Sequence, residues 1–200
     1  MIQIIDNFLD ISNSLDELYQ YFYYAGQWQF DFMPAKYINK DSQSTKVETQ
    51  IAHIIRKICE KEPKFVGAGY EVWVNLLDAN NNHLDQHIDC EEAAKEMVPA
   101  KMTATIYIGN GEGMEGGELA LHTVDYTPDT QFFPTIYEVQ KAVNENVENN
   151  WIKIPYKYNR LLLFDSQYSH AVLPITKINQ GEARITLTIS SWDKKIKVIR

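Results

Sequence analysis

Two hundred residues, 44% apolar and 12% aromatic, suffice for a packed core and are too apolar for a disordered chain. A net charge of −8 argues against a nucleic-acid partner, which would require a basic stripe, but leaves a cationic substrate open. Two cysteines, Cys59 and Cys90, are too few for a disulfide framework. MIQIIDNFLD lacks the positive start and apolar stretch of an export signal, and no run reaches membrane-spanning length. A soluble cytoplasmic protein with no membrane partner is expected.

No repeat or low-complexity linker interrupts the chain, so one domain spanning 1–200 is expected. MIQIID reads as a short strand. Ser14 to Glu17 reads as a capping box opening a helix with LDELYQYFYY as its body. Residues 26–43 read as irregular. Thr45 to Glu48 is a second capping box, followed by Val47, Ile51, Ile54, Ile55 and Ile58 at helical spacing, and Pro63 stops the run. From residue 65 the texture turns to strands: FVGAGYEVWVNLLD, closed by the turn DANNN, then KMTATIYIG, GGELALHTV, KYNRLLLFD, HAVLPIT and ARITLTISSW. Residues 123–150 interrupt this run with a helix, TIYEVQKAVNENV, opened by a third capping box, Thr135 to Glu138. An insertion of that length reads either as a lid or substrate-binding element or as a solvated loop without a role. Helices first and consecutive strands after give an α+β class, a barrel or sandwich with helices packed outside.

The chemistry concentrates in HLDQHIDCEE, where His-x-Asp occurs twice, as His83–Asp85 and His87–Asp89. One such pair alone means little. Downstream come Gly116–Gly117 opening a strand, then His170, then Arg184 at the start of the last strand, fourteen residues later. Two imidazoles and one carboxylate occupy one face of Fe(II) and leave positions open for a chelating keto acid and oxygen. A dicarboxylic keto acid then needs an anchor for its far carboxylate, and arginine supplies a planar fork that stays charged. His83 and His87 also stand four apart, as zinc ligands on a helix would, but Leu84 occupies the place of the required glutamate and Asn-rich flanks disfavour a helix.

The sequence resembles the Fe(II)- and 2-oxoglutarate-dependent dioxygenases, specifically their prolyl-4-hydroxylase-like branch. IQIIDNFLD, HID, TIYIGN, GGEL, RLLLFDSQYSHAVLPI and ARITLTIS carry the likeness along nearly the whole chain, with residues 26–63 and 123–150 matching weakly. The resemblance implies a double-stranded β-helix, or jelly-roll, core with the N-terminal helices packed on it. It also chooses between the two pairs. An apolar residue three before the metal histidine fits Leu84 for His87, whereas Asn80 would hold that place for His83. His87, Asp89 and His170 are therefore the expected iron ligands and the catalytic centre.

By the same resemblance Arg184 would pair with the C5 carboxylate of 2-oxoglutarate, with Thr186 on the same strand face adding a hydrogen bond. Thr188 and Ser190 extend that face into a polar stripe. Tyr107 matches a tyrosine that some members direct at the same carboxylate, the alternative being an ordinary core-packing role. Leu77 and Asp78 stand where many members carry another tyrosine; Asn75 and Trp73, on the face of Leu77, are expected to shape the pocket instead. Gly116–Gly117 is expected to permit a bulge or a close backbone approach. Arg160 is expected to be structural, and Glu91 and Glu92 to be solvated loop acids, the alternative being that they receive a cationic substrate group.

The implied reaction is hydroxylation of an unactivated C–H bond, with 2-oxoglutarate oxidised to succinate and CO2 and ascorbate as an accessory reductant. Asp89 argues against halogenation, whose enzymes leave the carboxylate position open. The branch favours a prolyl or other amino-acid side chain in a peptide or protein, or a free amino acid. The alternative from a different class is a non-catalytic metal-binding jelly roll that acts by binding a partner, and a third reading is a catalytic domain that turns over only when docked to a carrier.

Overall fold

The computed structural model describes residues 1–9, 13–28, 36–41, 45–91, 98–109, 111, 113–125, 135–145, 150–180 and 182–196. Strand β1 (Ile2–Ile5) is followed by helix α1 (Asn13–Trp28), strand β2 (Lys36–Ile38) and helix α2 (Lys46–Lys61). The strand region comprises β3 (Gly69–Leu77), β4 (Leu84–His87), β5 (Met102–Tyr107), β6 (Glu115–Gly116) and β7 (Leu119–Asp125). Helix α3 (Ile136–Glu145) precedes β8 (Trp151–Ile154), β9 (Leu161–Asp165), β10 (Tyr168–Val172), β11 (Ile175–Lys177) and β12 (Arg184–Trp192). Among the described residues no helix is long and apolar enough to cross a membrane.

The strands pair antiparallel in three sheets: β1-β9-β5-β12-β3-β2, β4-β10-β7-β8, and the short β11-β6. The two larger sheets share one core, in which Leu77, Leu162 and Phe164 of the first meet Leu119, Leu121 and Val172 of the second. This is the expected α+β jelly roll. The opposite face of the six-stranded sheet is closed by the helices: Val72, Val74, Ile106, Leu163, Ile185 and Ile189 pack with Leu15, Leu18, Ile51, Ile55 and Ile58. The isoleucines spaced for one face of α2 are thus the buried ones.

Thr45 caps α2, accepting from the Glu48 N–H at 3.1 Å, and at α3 the Thr135 N–H donates to the Glu138 carboxylate at 2.8 Å. Glu17 instead reaches across to α2, accepting from Lys46 Nζ and Gln50 Nε2, both at 2.8 Å. Ser14's side chain, Glu92 and parts of 26–43 and 123–150 lie outside the described residues. Several strands depart from the sequence reading. β2 falls in a stretch read as irregular, β4 and β8 lie outside the stretches read as strands, and HAVLPIT forms two strands, β10 and β11, parted at Leu173–Pro174. Helix α3 packs through Ile136 and Val139 on Ala120, Ala171 and Leu173, the outer face of the four-stranded sheet.

Arg160 is structural: its guanidinium donates to both Asp6 oxygens and to the Pro155 carbonyl, fastening the end of β1 to the approach to β9.

Candidate metal and keto acid site

β4 and β10 lie side by side with His87 opposite His170, so their rings share the inner face, centroids 4.3 Å apart. Each ring turns Nδ1 to a main-chain carbonyl, His87 to Asp85 O at 2.8 Å and His170 to Tyr168 O at 3.3 Å. A carbonyl only accepts, so each Nδ1 carries the proton and each Nε2 keeps its lone pair free. Both Nε2 atoms face one oxygen of Asp89, at 4.0 Å from His87 and 3.8 Å from His170. Ions bonded at about 2.0–2.2 Å fit between atoms at such separations. Among the described residues this is the one trio of His, Cys, Asp or Glu with ligand atoms within 4.8 Å of one another.

Asp89 is buried, and its second oxygen is spoken for. Oδ2 accepts from Thr103 Oγ1 at 2.5 Å and from Ser190 Oγ at 3.4 Å, and Thr103 Oγ1 also lies 2.9 Å from Ser166 Oγ. Oδ1 is left for a cation. Burial, with the neighbouring His87 adding to it against the pull of Asp89, holds the His170 pKa down at about 4, so that ring is neutral at pH 7, as a ligand must be. The side chains of His170 and Asp89 are 7% and 4% exposed, whereas His87 is 41% exposed. The site is closed on the side of β10 and open on that of β4.

β12 is the central strand of its sheet, paired to β3 and β5, and all nine residues are buried. This excludes an edge-strand role for Arg184, which is 1% exposed. Its Nε donates to Gly117 O at 2.9 Å, and its guanidinium carbon lies 5.3 Å from the ring centres of both Tyr107 and Tyr156. Nη1, Nη2 and the Tyr107 hydroxyl are buried without a hydrogen-bond partner. Tyr107 stands beside the guanidinium, near enough to favour its charge, but not aligned as a hydrogen bond. Burial raises the Tyr107 pKa, so the phenol keeps its proton and can donate. Burial works against Arg184's charge too, yet guanidinium stays protonated in proteins. Three unmet donors around one buried cation form a cradle that a carboxylate would satisfy.

Thr186 sits opposite both Tyr107 and Asn75, so the three share one row and one face with Arg184, Thr188 and Ser190. His83 is placed elsewhere: Nδ1 meets Asn82 Oδ1 at 2.9 Å, and Nε2 stands 3.9 Å from the exposed Asp85, with no third ligand beside them. Glu91 is a correction to the reading of solvated acids, because it is 13% exposed and 2.9 Å from Lys194 Nζ.

Sequence reasoning missed Tyr156, which stacks on Tyr107 at 4.8 Å and donates to Gly109 O at 2.6 Å. It lies in a loop, PYKY, without periodicity to mark it. Thr103 and Ser190 were visible as polar positions on strand faces, but their common target was not. Gly116 and Gly117 have φ of 80° and 69°, and the ladder irregularity lies on the facing strand, between Ile175 and Lys177. A Cβ on Gly117 would lie 3.0 Å from Ile175 Cγ1 and 3.3 Å from Arg184 Cδ, so glycine is what lets this carbonyl approach the arginine.

Residues 72–192 match the 2OG-Fe(II) oxygenase superfamily. The chain belongs to that family. Membership implies Fe(II) and 2-oxoglutarate as cofactors. Both groups fit the residues present: the histidine and carboxylate donors suit Fe(II), and the unmet donors of Arg184 and Tyr107 suit a carboxylate.

Among solved structures, the chain is similar to a prolyl-4-hydroxylase of Pseudomonas putida (TM-score 0.61, 14% identity, covering 97% of this chain and 93% of that one). It is also similar to a Trichoplax adhaerens prolyl hydroxylase in complex with a hypoxia inducible factor peptide fragment (0.57, 19%, 96% and 83%). A third is the non-heme α-ketoglutarate-dependent epimerase of nogalamycin biosynthesis (0.60, 11%, 96% and 76%). Identities this low establish a shared fold. No curated protein matches the sequence significantly.

Proposed function

We propose that the chain hydroxylates an unactivated C–H bond of a prolyl or other amino-acid side chain in a peptide or protein, or of a free amino acid. His87 Nε2, Asp89 Oδ1 and His170 Nε2 would hold Fe(II). Arg184 and Tyr107 would receive the C5 carboxylate of 2-oxoglutarate, with Thr186 and Asn75 on the adjoining row. The single observation that carries this reading is the coexistence of the facing donor trio with a buried, unneutralised Arg184. A partner-binding module would have no use for that charge, whose burial costs stability unless an anion meets it.

When bound, Fe(II) and 2-oxoglutarate would supply the oxidation with O2 as oxidant: one oxygen atom converts the keto acid to succinate and CO2 and the other enters the C–H bond. The protein positions and tunes. The carbonyls of Asp85 and Tyr168 fix both imidazoles with Nε2 inward, and Thr103 and Ser190 hold Asp89 by one oxygen so the other can ligate. The Arg184 fork would hold the C5 carboxylate of the keto acid. The exposed flank of His87 leaves a side for substrate. Phe164, edge-on to the His170 ring at 5.1 Å, keeps water from the closed side.

The peptide class rests on the prolyl hydroxylase relatives, and the epimerase shows that one fold serves more than one outcome. The test is incubation of protein, Fe(II), 2-oxoglutarate, ascorbate and oxygen with a library of proline-containing and other peptides and free amino acids. The expected result is succinate release matched by one added oxygen atom in a product. Stoichiometric succinate with product mass unchanged would replace hydroxylation with epimerisation, a product lighter by two hydrogens would replace it with desaturation, and keto-acid binding without any substrate-dependent succinate would promote the binding module.

A further inference from the structure

The two histidines sit at the edge of the four-stranded sheet. Among the described residues β4 is a four-residue edge strand held on one side only, by β10, and that ladder is irregular between His170 and Val172. Main-chain pairing alone therefore fixes the His87–His170 distance weakly. Asp89 has separate anchorage, through its hydroxyl partners and its own carbonyl, which accepts from Ala100 N at 2.9 Å.

Behind the histidines, on the opposite face of the same two strands, lies a second side-chain pair. Gln86 precedes His87 and Ser169 precedes His170; strand alternation turns both outward. Gln86 Nε2 donates to Ser169 Oγ at 2.6 Å, and both residues are buried, at 8% and 5% exposure. The surroundings on this face are apolar, with Ala171, Leu173, Ile136 and Val139 in one cluster. The arrangement is not built for stability, since Gln86 Oε1 is buried without a partner, a condition that costs free energy. Local structure that violates such a rule concentrates where function demands it.

We infer that Gln86 and Ser169 are positioning residues for the metal site: their bond ties β4 to β10 and sets the gap into which the two Nε2 atoms converge. This rests on the reading of His87, Asp89 and His170 as ligands. Neither residue touches metal or substrate; they act through the strands that carry the histidines.

The test uses the full chain, stripped of metal and titrated anaerobically with Co(II), whose visible bands report both affinity and ligand geometry. Ser169→Ala, Gln86→Met and the double variant run beside the unmodified protein and His87→Ala. Each single variant is expected to bind Co(II) between roughly 10- and 100-fold more weakly, the range for groups that orient metal ligands, with altered bands. The double variant should lose no more than the worse single one, because the two act as one pair. Its metal-free thermal midpoint should equal or exceed that of the unmodified protein, since both partners and the orphan oxygen are gone. Ser169→Thr, which keeps the hydroxyl, should restore affinity.

Co(II) affinity and bands within twofold of the unmodified protein in both single variants would overturn the inference. So would a loss of affinity in the double variant accompanied by a large fall in its metal-free midpoint, which marks a merely structural pair. Unchanged Co(II) binding by His87→Ala would instead defeat the underlying ligand assignment, and so is told apart from failure of the tie.

Discussion

Thr103 holds Asp89 by one oxygen. Its hydroxyl donates to Oδ2, while Oδ1 of the same carboxylate faces the Nε2 atoms of His87 and His170. The neighbouring rows of β5 and β12 are buried and polar for this reason: Thr103 and Ser190 lie opposite each other in the ladder and converge on one carboxylate. Without them, a buried anion would have neither fixed rotamer nor hydrogen bonds when metal-free.

Replacing Thr103 by valine keeps the shape and removes the donor. Metal affinity should fall between roughly 10- and 100-fold, and the metal-free protein should lose about 1–3 kcal/mol through the orphaned carboxylate. Isothermal titration with Mn(II) and denaturant unfolding would measure the two effects separately.

Arg184→Met should separate binding from stability. Each charge-assisted hydrogen bond to the keto acid contributes about 1.5–3 kcal/mol, so 2-oxoglutarate affinity should drop at least roughly tenfold for each one lost. The metal-free protein should be as stable as the unmodified one or more so, because an unpaired buried cation has been removed. Arg184→Lys should also bind 2-oxoglutarate poorly, since an ammonium cannot reproduce the fork. Equilibrium binding and thermal unfolding on the same samples check both.

Gly117→Ala acts on the same arginine from behind. A side chain at φ 69° costs about 1–2 kcal/mol, and its Cβ would press on Ile175 and Arg184. A lowered thermal midpoint together with weakened 2-oxoglutarate binding is expected, with metal affinity kept. An unchanged keto-acid affinity would mean that Gly117 does not set the arginine's position.

Asp6 supplies the pH dependence. Hydrogen bonds from Arg160 and Lys157 hold its carboxyl well below the usual carboxylate range. The folded state thus binds this proton more weakly than the unfolded one, so the stabilisation is fully present near neutrality and fades as pH falls below about 4. Asp6 is about a third exposed, so solvent screens the pair and the effect is modest. Asp6→Asn should lower the thermal midpoint at pH 7, with the gap to the unmodified protein closing toward pH 2.

Much of this was legible beforehand, and the reasons are local. The Ile51, Ile54, Ile55 and Ile58 set marks a buried helix face, and two of the three Thr- or Ser-opened boxes form a local cap bond. ARITLTISSW shows its polar face by alternation alone. β2 and β8 were hidden because three- and four-residue edge strands take their conformation from the neighbour they pair with, Val72 to Tyr70 and Leu119 to His122. Pro174 splits β10 from β11, although HAVLPIT reads as one apolar run. Tyr156 and the Gln86–Ser169 tie were illegible because each is defined by a partner distant in sequence: Tyr107 and Arg184 for the first, and across 83 positions for the second.

The most direct measurement is an anaerobic titration of metal-free protein with Fe(II) and 2-oxoglutarate, following the charge-transfer absorption of the keto-acid chelate. His83→Ala, His87→Ala and Arg184→Met are titrated in parallel. The absorption should develop in the unmodified protein, survive in His83→Ala, vanish in His87→Ala and require far higher 2-oxoglutarate in Arg184→Met. Tight metal binding without the absorption in the unmodified protein, or its loss with His83 and retention without His87, would contradict the site described here.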